Sequence, residues 1–116
     1  MKTVDRTLAV LLILGGVGHS LGSYKAYQSD QMELLWSLCA SLFVFLLGAI
    51  NLLRTSRPDD SGLGWVCLGA LIAWVPSTLR FGQLAGNLLD FRVVIFTVLT
   101  VGLCGFSVRT IRTAHP

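Results

Sequence analysis

The feature that most constrains this chain is a set of four long apolar segments separated by short polar ones. They run at about 7–24, 34–53, 63–79 and 93–108. Each holds roughly 16 to 20 residues, close to the ~20 that a helix needs to cross about 30 Å of hydrocarbon. The segments lack the period-two alternation of membrane β-barrel strands. Because lipid offers no partners to free backbone groups, we predict four transmembrane helices.

The composition agrees with a surface that faces lipid. Of the 116 residues, 53% are hydrophobic and only 13% are charged, whereas a soluble domain carries about 25% charged residues. These charges are too few to cover a globule with groups that favour water. We therefore predict a single integral membrane domain over residues 1–116, surrounded by membrane lipids.

The connections between the segments are short, and they predict the order of the helices. Short links force consecutive helices to pack antiparallel, which gives an all-α, up-down-up-down four-helix bundle. The third link, residues 80–92, is half apolar and permits two structures. It forms either an interfacial helix or an extension of the third helix past Pro76.

The basic residues predict the orientation in the membrane. With the N-terminus inside, six of the nine Lys and Arg residues lie in the cytoplasm and three lie outside. The inner set is Lys2, Arg6, Arg54, Arg57, Arg109 and Arg112, and the outer set is Lys25, Arg80 and Arg92. This bias predicts a multi-pass protein of the inner (plasma) membrane with cytoplasmic N- and C-termini. The scatter of these residues argues against a nucleic-acid partner, which needs its charges on one continuous face.

Several kinds of chemistry lack the residues that they need. Cys39, Cys67 and Cys104 lie singly in three different segments, so neither a CxxC redox centre nor a zinc ribbon has its ligands. We predict three buried, inert thiols. A nucleophile constellation and a metal-ligand set are also missing, and we predict no metal and no cofactor.

Glycines at helical spacing predict close helix packing. The glycines expected at helix–helix contacts are Gly15, Gly18, Gly22, Gly48 and Gly69. Gly18 and Gly22 in particular form a small-xxx-small pair, which favours a close neighbouring helix.

His19 is the only ionisable group well inside an apolar segment, and such residues are functional candidates. We predict that its ring is buried in the outer half of the bundle, with a polar neighbour among Ser23, Glu33, Ser37, Ser77 and Arg80. The candidate ligand-binding cluster comprises His19, Ser23, Glu33, Trp36, Trp74, Arg80, Asn87 and Asp90. In the alternative, His19 only bonds a neighbouring helix or reaches the headgroups.

The stretch Gly15-Gly16-x-Gly18-His19, together with the overall size, resembles the broad DoxX-like group of small four-helix bacterial membrane proteins. The resemblance implies the fold and carries no catalytic residues across. The chain is also similar in length and helix count to the small multidrug-resistance exporters. Those exporters rely on a carboxylate inside the first helix, and this chain has no acid between Asp5 and Asp30.

Three functional hypotheses follow. The first is a non-catalytic membrane protein that binds a lipid-like or apolar ligand, or that serves as a subunit of a larger membrane complex. The second is a homo-oligomeric transporter or channel for small solutes, since four helices alone make too thin a bundle for a wide path. The third is an enzyme that acts on a lipid at the outer surface, with His19 and either Glu33 or Asp90 as acid and base.

Overall fold

The computed structural model describes residues 1–114, which form four antiparallel α-helices and no strand. The helices are α1 (Lys2–Ala26), α2 (Gln31–Thr55), α3 (Ser61–Leu84) and α4 (Phe91–Thr113). Loops of four to six residues join them, and loops this short hold consecutive helices antiparallel. The predicted up-down-up-down bundle is confirmed.

Each helix contains its predicted apolar segment and extends beyond it at both ends. The helices have 23 to 25 residues, which at 1.5 Å per residue is about 35–37 Å. All four are long and apolar enough to cross a membrane. The polar residues at the segment edges therefore lengthen each helix beyond the ~30 Å hydrocarbon layer.

Aspartates fix where three of the helices begin. The side chains of Asp30, Asp60 and Asp90 accept hydrogen bonds from backbone N–H groups in the first turns of α2, α3 and α4, at 2.9–3.1 Å. Such bonds satisfy donors that have no partner within the helix. Of the two structures left open for residues 80–92, the extension is correct as far as Leu84. A loop follows, in which Gly86 has a φ of +79°, a conformation that favours glycine.

The helices pack as two hairpins. The α1–α2 and α3–α4 contacts are extensive, whereas α1 meets α4 more lightly. The core that joins the hairpins consists of Ala9, Leu12, Val44, Leu47, Leu71, Leu99 and Leu103. We call the end that carries Met1, the 56–60 loop and Thr113 the terminal end, and the end that carries the 27–30 and 85–90 loops the distal end.

Two of the five predicted packing glycines lie at close helix contacts. A Cβ atom on Gly48 would approach the Ile13 side chain and would lie 3.1 Å from the Ala9 carbonyl oxygen, and one on Gly15 would lie 3.0 Å from the Phe96 ring. The expectation is wrong for Gly18, Gly22 and Gly69. A Cβ at these three positions would meet nothing within 4 Å among the described residues. Small residues at helical spacing permit two helices to approach closely, but they do not require it.

Candidate functional site

Three glycines of α1, of which Gly18 and Gly22 are open, line a groove in the distal half of the bundle. Gly15, Gly18 and Gly22 form one wall together with His19, and the apolar side chains of α4 form the opposite wall. The α4 wall consists of Phe91, Ile95 and Phe96. The groove has a volume of about 350 Å³. Gly18 and Gly22 leave space here because neither carries a side chain.

His19 lies at the inner edge of this groove and bonds across to α2. Its Nδ1 is 2.7 Å from the hydroxyl oxygen of Ser41, and its ring is half-buried. Ser41 is buried. A polar side chain of the second helix therefore lies within hydrogen-bonding distance, as a site at His19 requires. The partner differs from those expected, because Ser23 bonds the His19 backbone carbonyl and the Ser37 hydroxyl rather than the ring.

A second, smaller cavity, which we call the chamber, adjoins the groove. Its volume is about 160 Å³. The residues common to both cavities are His19, Phe81, Arg92 and Phe96. The chamber's own walls include Val44, Trp74 and Thr78. The Trp74 ring stacks on Phe43 at 5.3 Å between centroids and meets the edge of Phe96 at 6.4 Å.

Arg92 supplies the charged group at the distal end of the groove. Its guanidinium lies 5.0 Å from the centroid of the Phe81 ring and bonds both carboxylate oxygens of Asp90 at 2.9 Å. Hydrogen bonds from the Arg92 side chain and backbone lower the pKa of Asp90 to about 2. Asp90 is therefore ionised at neutral pH, and the pair as a whole carries no net charge.

The predicted ligand-binding cluster assembles only in part. His19 and Trp74 line the chamber, Ser23 lines the groove, and Asp90 is connected to both cavities through Arg92. The remaining four candidates are exposed, namely Glu33, Trp36, Arg80 and Asn87. Arg80 and Asn87 make short local bonds, to Gln83 of the same helix and to the Leu89 backbone respectively. Residues at one level of a bundle can face opposite sides, because each step along a helix turns the side chain by about 100°.

The acid–base pair of the enzyme hypothesis is not formed within residues 1–114. The Glu33 side chain is exposed, and Asp90 bonds Arg92. No group of three or more metal-ligating side chains is found in this part of the chain either. Cys67 is buried and Cys104 half-buried, but Cys39 is exposed, so the expectation of three buried thiols is wrong for Cys39.

Sequence reasoning missed a second polar cluster, at the terminal end. Arg54 is 1% exposed and pairs with Asp5, with Nη–carboxylate distances of 2.6 and 2.9 Å. Its other contacts are to the side-chain Oδ1 of Asn51 and the Thr110 hydroxyl, at 3.2–3.3 Å. Together these bonds employ all five guanidinium donors. We call these four residues the Arg54 clamp. It joins α1, α2 and α4 and leaves no guanidinium donor free for a ligand.

The sequence indicates the clamp only weakly, because Asp5 and Arg54 lie outside the apolar segments. Charged residues at such positions usually flank a membrane helix. The sequence signal for Ser41 was better, since Ser41 follows Ser37 by about one helical turn within the second apolar segment. Comparisons with family models, with curated proteins and with solved structures give no match to this chain, so its function is inferred from this geometry.

Proposed function

We propose that this protein is a small, non-catalytic membrane protein that binds an amphipathic, lipid-like molecule in the groove between α1 and α4. The observation that carries the proposal is a mostly apolar groove of about 350 Å³ whose few polar side chains include the His19 ring. Small-molecule sites are concave and mostly apolar, with volumes of about 300–1,000 Å³ and a few placed polar groups.

The shape of the groove favours an elongated ligand. A Cβ atom on Gly18 or Gly22 would have no neighbour within 4 Å among the described residues, so an acyl or prenyl chain can lie directly against the α1 backbone. Close contact along such a chain sums many small dispersion terms. The groove is bounded by Arg92 at the distal end, where a polar head meets water and headgroups.

The orientation of the protein in the membrane is part of the same proposal. We place the terminal end in the cytoplasm and the distal end outside the inner membrane, because six of the nine Lys and Arg residues lie at or near the terminal end. The groove then draws its ligand from the outer leaflet. Reporter fusions after Pro116 and within the 57–62 stretch should both report cytoplasm, and a fusion at Gln28 should report the outside. A C-terminal reporter that is active only outside would reverse the orientation.

Filling the groove tests the binding proposal directly. Gly18→Leu puts a side chain into the groove, whereas Gly69→Leu adds the same side chain at another open position of a different helix. Native mass spectrometry of protein purified in mild detergent should show a lipid adduct on the wild type and on Gly69→Leu. The adduct should be lost from Gly18→Leu, with the melting temperature unchanged.

Equal adducts on all three proteins would place the lipid elsewhere and overturn the site. A wild type that carries no lipid but binds a second protein stoichiometrically would favour the role of a complex subunit instead.

A further inference from the structure

Arg92 gives the groove a fixed positive charge at its distal end. It is the second residue of α4, and it lines the groove together with Phe81. Its guanidinium lies over the Phe81 ring, at 5.0 Å from the centroid. No other Arg, Lys, Asp or Glu is among the groove-lining residues within 1–114. Because a guanidinium stays protonated at any physiological pH, the head of a bound ligand meets a permanent cation here.

The guanidinium of Arg92 keeps hydrogen-bond donors that the protein does not use. Two of its five N–H donors, on Nε and Nη2, bond the Asp90 carboxylate at 2.9 Å. The others, two on Nη1 and one on Nη2, make no hydrogen bond within the described part of the chain. The side chain is 51% exposed, so it is accessible to an acceptor at the mouth of the groove. Phosphate oxygens are acceptors that a guanidinium binds through short, charge-assisted hydrogen bonds.

The Asp90 carboxylate lies just outside the groove. Asp90 belongs to the loop before α4, its side chain is 20% exposed, and it is not among the groove-lining residues. The protein therefore presents, from the groove outward, apolar walls, a guanidinium and then a carboxylate. A zwitterionic phospholipid has the complementary order, because its acyl chain is followed by a phosphate and then by an ammonium group. An anionic phospholipid lacks the ammonium group and would bring a net charge to a pair that is already neutral.

We infer that the groove binds an acyl chain of a zwitterionic phospholipid, with the phosphate on the unused donors of Arg92 and the ammonium group beside the Asp90 carboxylate. This inference rests on the proposed function and adds the chemistry of the head to it. The groove volume of about 350 Å³ is near the lower limit of the usual range for small-molecule sites, about 300–1,000 Å³. A site of this size suits one acyl chain rather than two.

Three single-chain lipids with the same palmitoyl chain separate the possible heads. They are lysophosphatidylethanolamine, which is zwitterionic, lysophosphatidylglycerol, which is anionic, and monopalmitoylglycerol, which has no phosphate. Each is added to the full-length protein after delipidation in an uncharged detergent, and native mass spectrometry measures the dissociation constant. A single hydrogen bond changes affinity about threefold to tenfold. We therefore expect the zwitterion to bind most tightly and monopalmitoylglycerol most weakly, with about that factor between successive probes.

Arg92→Gln removes the guanidinium and keeps a polar side chain. It should weaken binding of the zwitterion about threefold to tenfold and leave monopalmitoylglycerol unchanged. Arg80→Gln is the matched control, because Arg80 is also an exposed arginine of the distal half but lines neither the groove nor the chamber. It should change neither affinity. Should Arg92→Gln fail to fold, the order of the three probes on the wild type decides the matter alone.

Asp90→Asn tests the ammonium contact separately. Asparagine is as good a helix N-cap as aspartate, so α4 should still begin at the same place. Without the carboxylate, the zwitterion should lose its advantage over the anionic probe. An advantage that persists in Asp90→Asn would overturn the proposed contact between the ammonium group and Asp90.

The outcomes separate this inference from the proposed function. Equal affinities for all three probes, each lost in Gly18→Leu, would overturn the phospholipid head and support the groove. Tightest binding of the anionic probe would overturn the zwitterionic head. Equal losses in Arg92→Gln and Arg80→Gln would show a general effect of positive charge and overturn the contact with Arg92. Failure of all three probes to bind would overturn the inference and the proposed function together.

Discussion

The two ends of the bundle place their ionisable side chains in different surroundings. At the terminal end, Arg54 and Asp5 are both buried, and each guanidinium donor has an acceptor among its neighbours. At the distal end, His19 lines two cavities, and its Nε2 has no hydrogen-bond partner within residues 1–114. A satisfied network rigidifies the structure around it, whereas unsatisfied groups beside open space are features of a binding site. The terminal end joins three helices through the Arg54 clamp, and the distal end is where we propose that a ligand binds.

The largest expected effect comes from breaking the Arg54 clamp. Asp5→Leu leaves a buried guanidinium without its carboxylate, and such a change costs about 3–5 kcal/mol of unfolding free energy. Denaturant unfolding in detergent micelles measures the loss. The double variant Asp5→Leu/Arg54→Met should recover most of it, since an apolar pair of similar volume often replaces a buried ion pair without loss. Wild-type stability in Asp5→Leu would show that the pair contributes little.

The next effect separates packed glycines from open ones. Gly48→Ala places a methyl group against the Ile13 side chain and the Ala9 carbonyl, and overpacking of this kind costs about 1–3 kcal/mol. Gly18→Ala meets nothing within 4 Å and should be neutral, or stabilising by up to ~1 kcal/mol through its higher helix propensity. Thermal unfolding of the two variants side by side provides the measurement. Equal losses would mean that Gly18 also packs against a helix.

A smaller effect is expected at the bond between His19 and Ser41. Ser41→Ala removes the partner of Nδ1 and should cost about 0.5–1.5 kcal/mol, and it should reduce the lipid adduct because the His19 ring is no longer held in place. Ser20→Ala is the control, since the Ser20 hydroxyl bonds only the Gly16 carbonyl of its own helix. Denaturant unfolding and native mass spectrometry of both variants measure the difference. A lipid adduct unchanged in Ser41→Ala would separate His19 from the site.

The smallest expected effect concerns the stability that the Asp90–Arg92 pair contributes and how it depends on pH. The pKa of Asp90 is lowered from 3.8 to about 2 in the folded protein, so the Asp90–Arg92 pair stabilises the fold above pH 3.8 and loses this contribution as the pH falls through about 2. Stability attributable to this pair should therefore be constant near neutral pH. Carboxyl NMR titration should place Asp90 near 2 in the wild type. Arg92→Gln should move the Asp90 pKa upward, and an unmoved value would exclude the Arg92 guanidinium as the cause.

The candidate site could be predicted from the sequence only in part. The polarity of His19 within an apolar segment identified it as a candidate, because few other positions of α1 need a partner in lipid. The orientation of Glu33, Trp36, Arg80 and Asn87 could not be read in the same way. These residues lie near helix ends, where a polar side chain is satisfied by water or headgroups whichever way it points. No single orientation is therefore enforced by the sequence there.

The sequence by itself determined the four helices, their antiparallel order and their lipid-facing surface. These features follow from runs of apolar residues and short loops, which are local properties that the bilayer and the backbone hydrogen bonds make decisive. Only the tertiary structure decided which glycines pack and which line a groove, that Ser41 bonds His19, and that Asp5 meets Arg54 across 49 residues of chain. The physical reason is that small and polar residues are compatible with several neighbours. The rotation of each helix and the fit between helices select one of these neighbours. No local sequence pattern encodes either property.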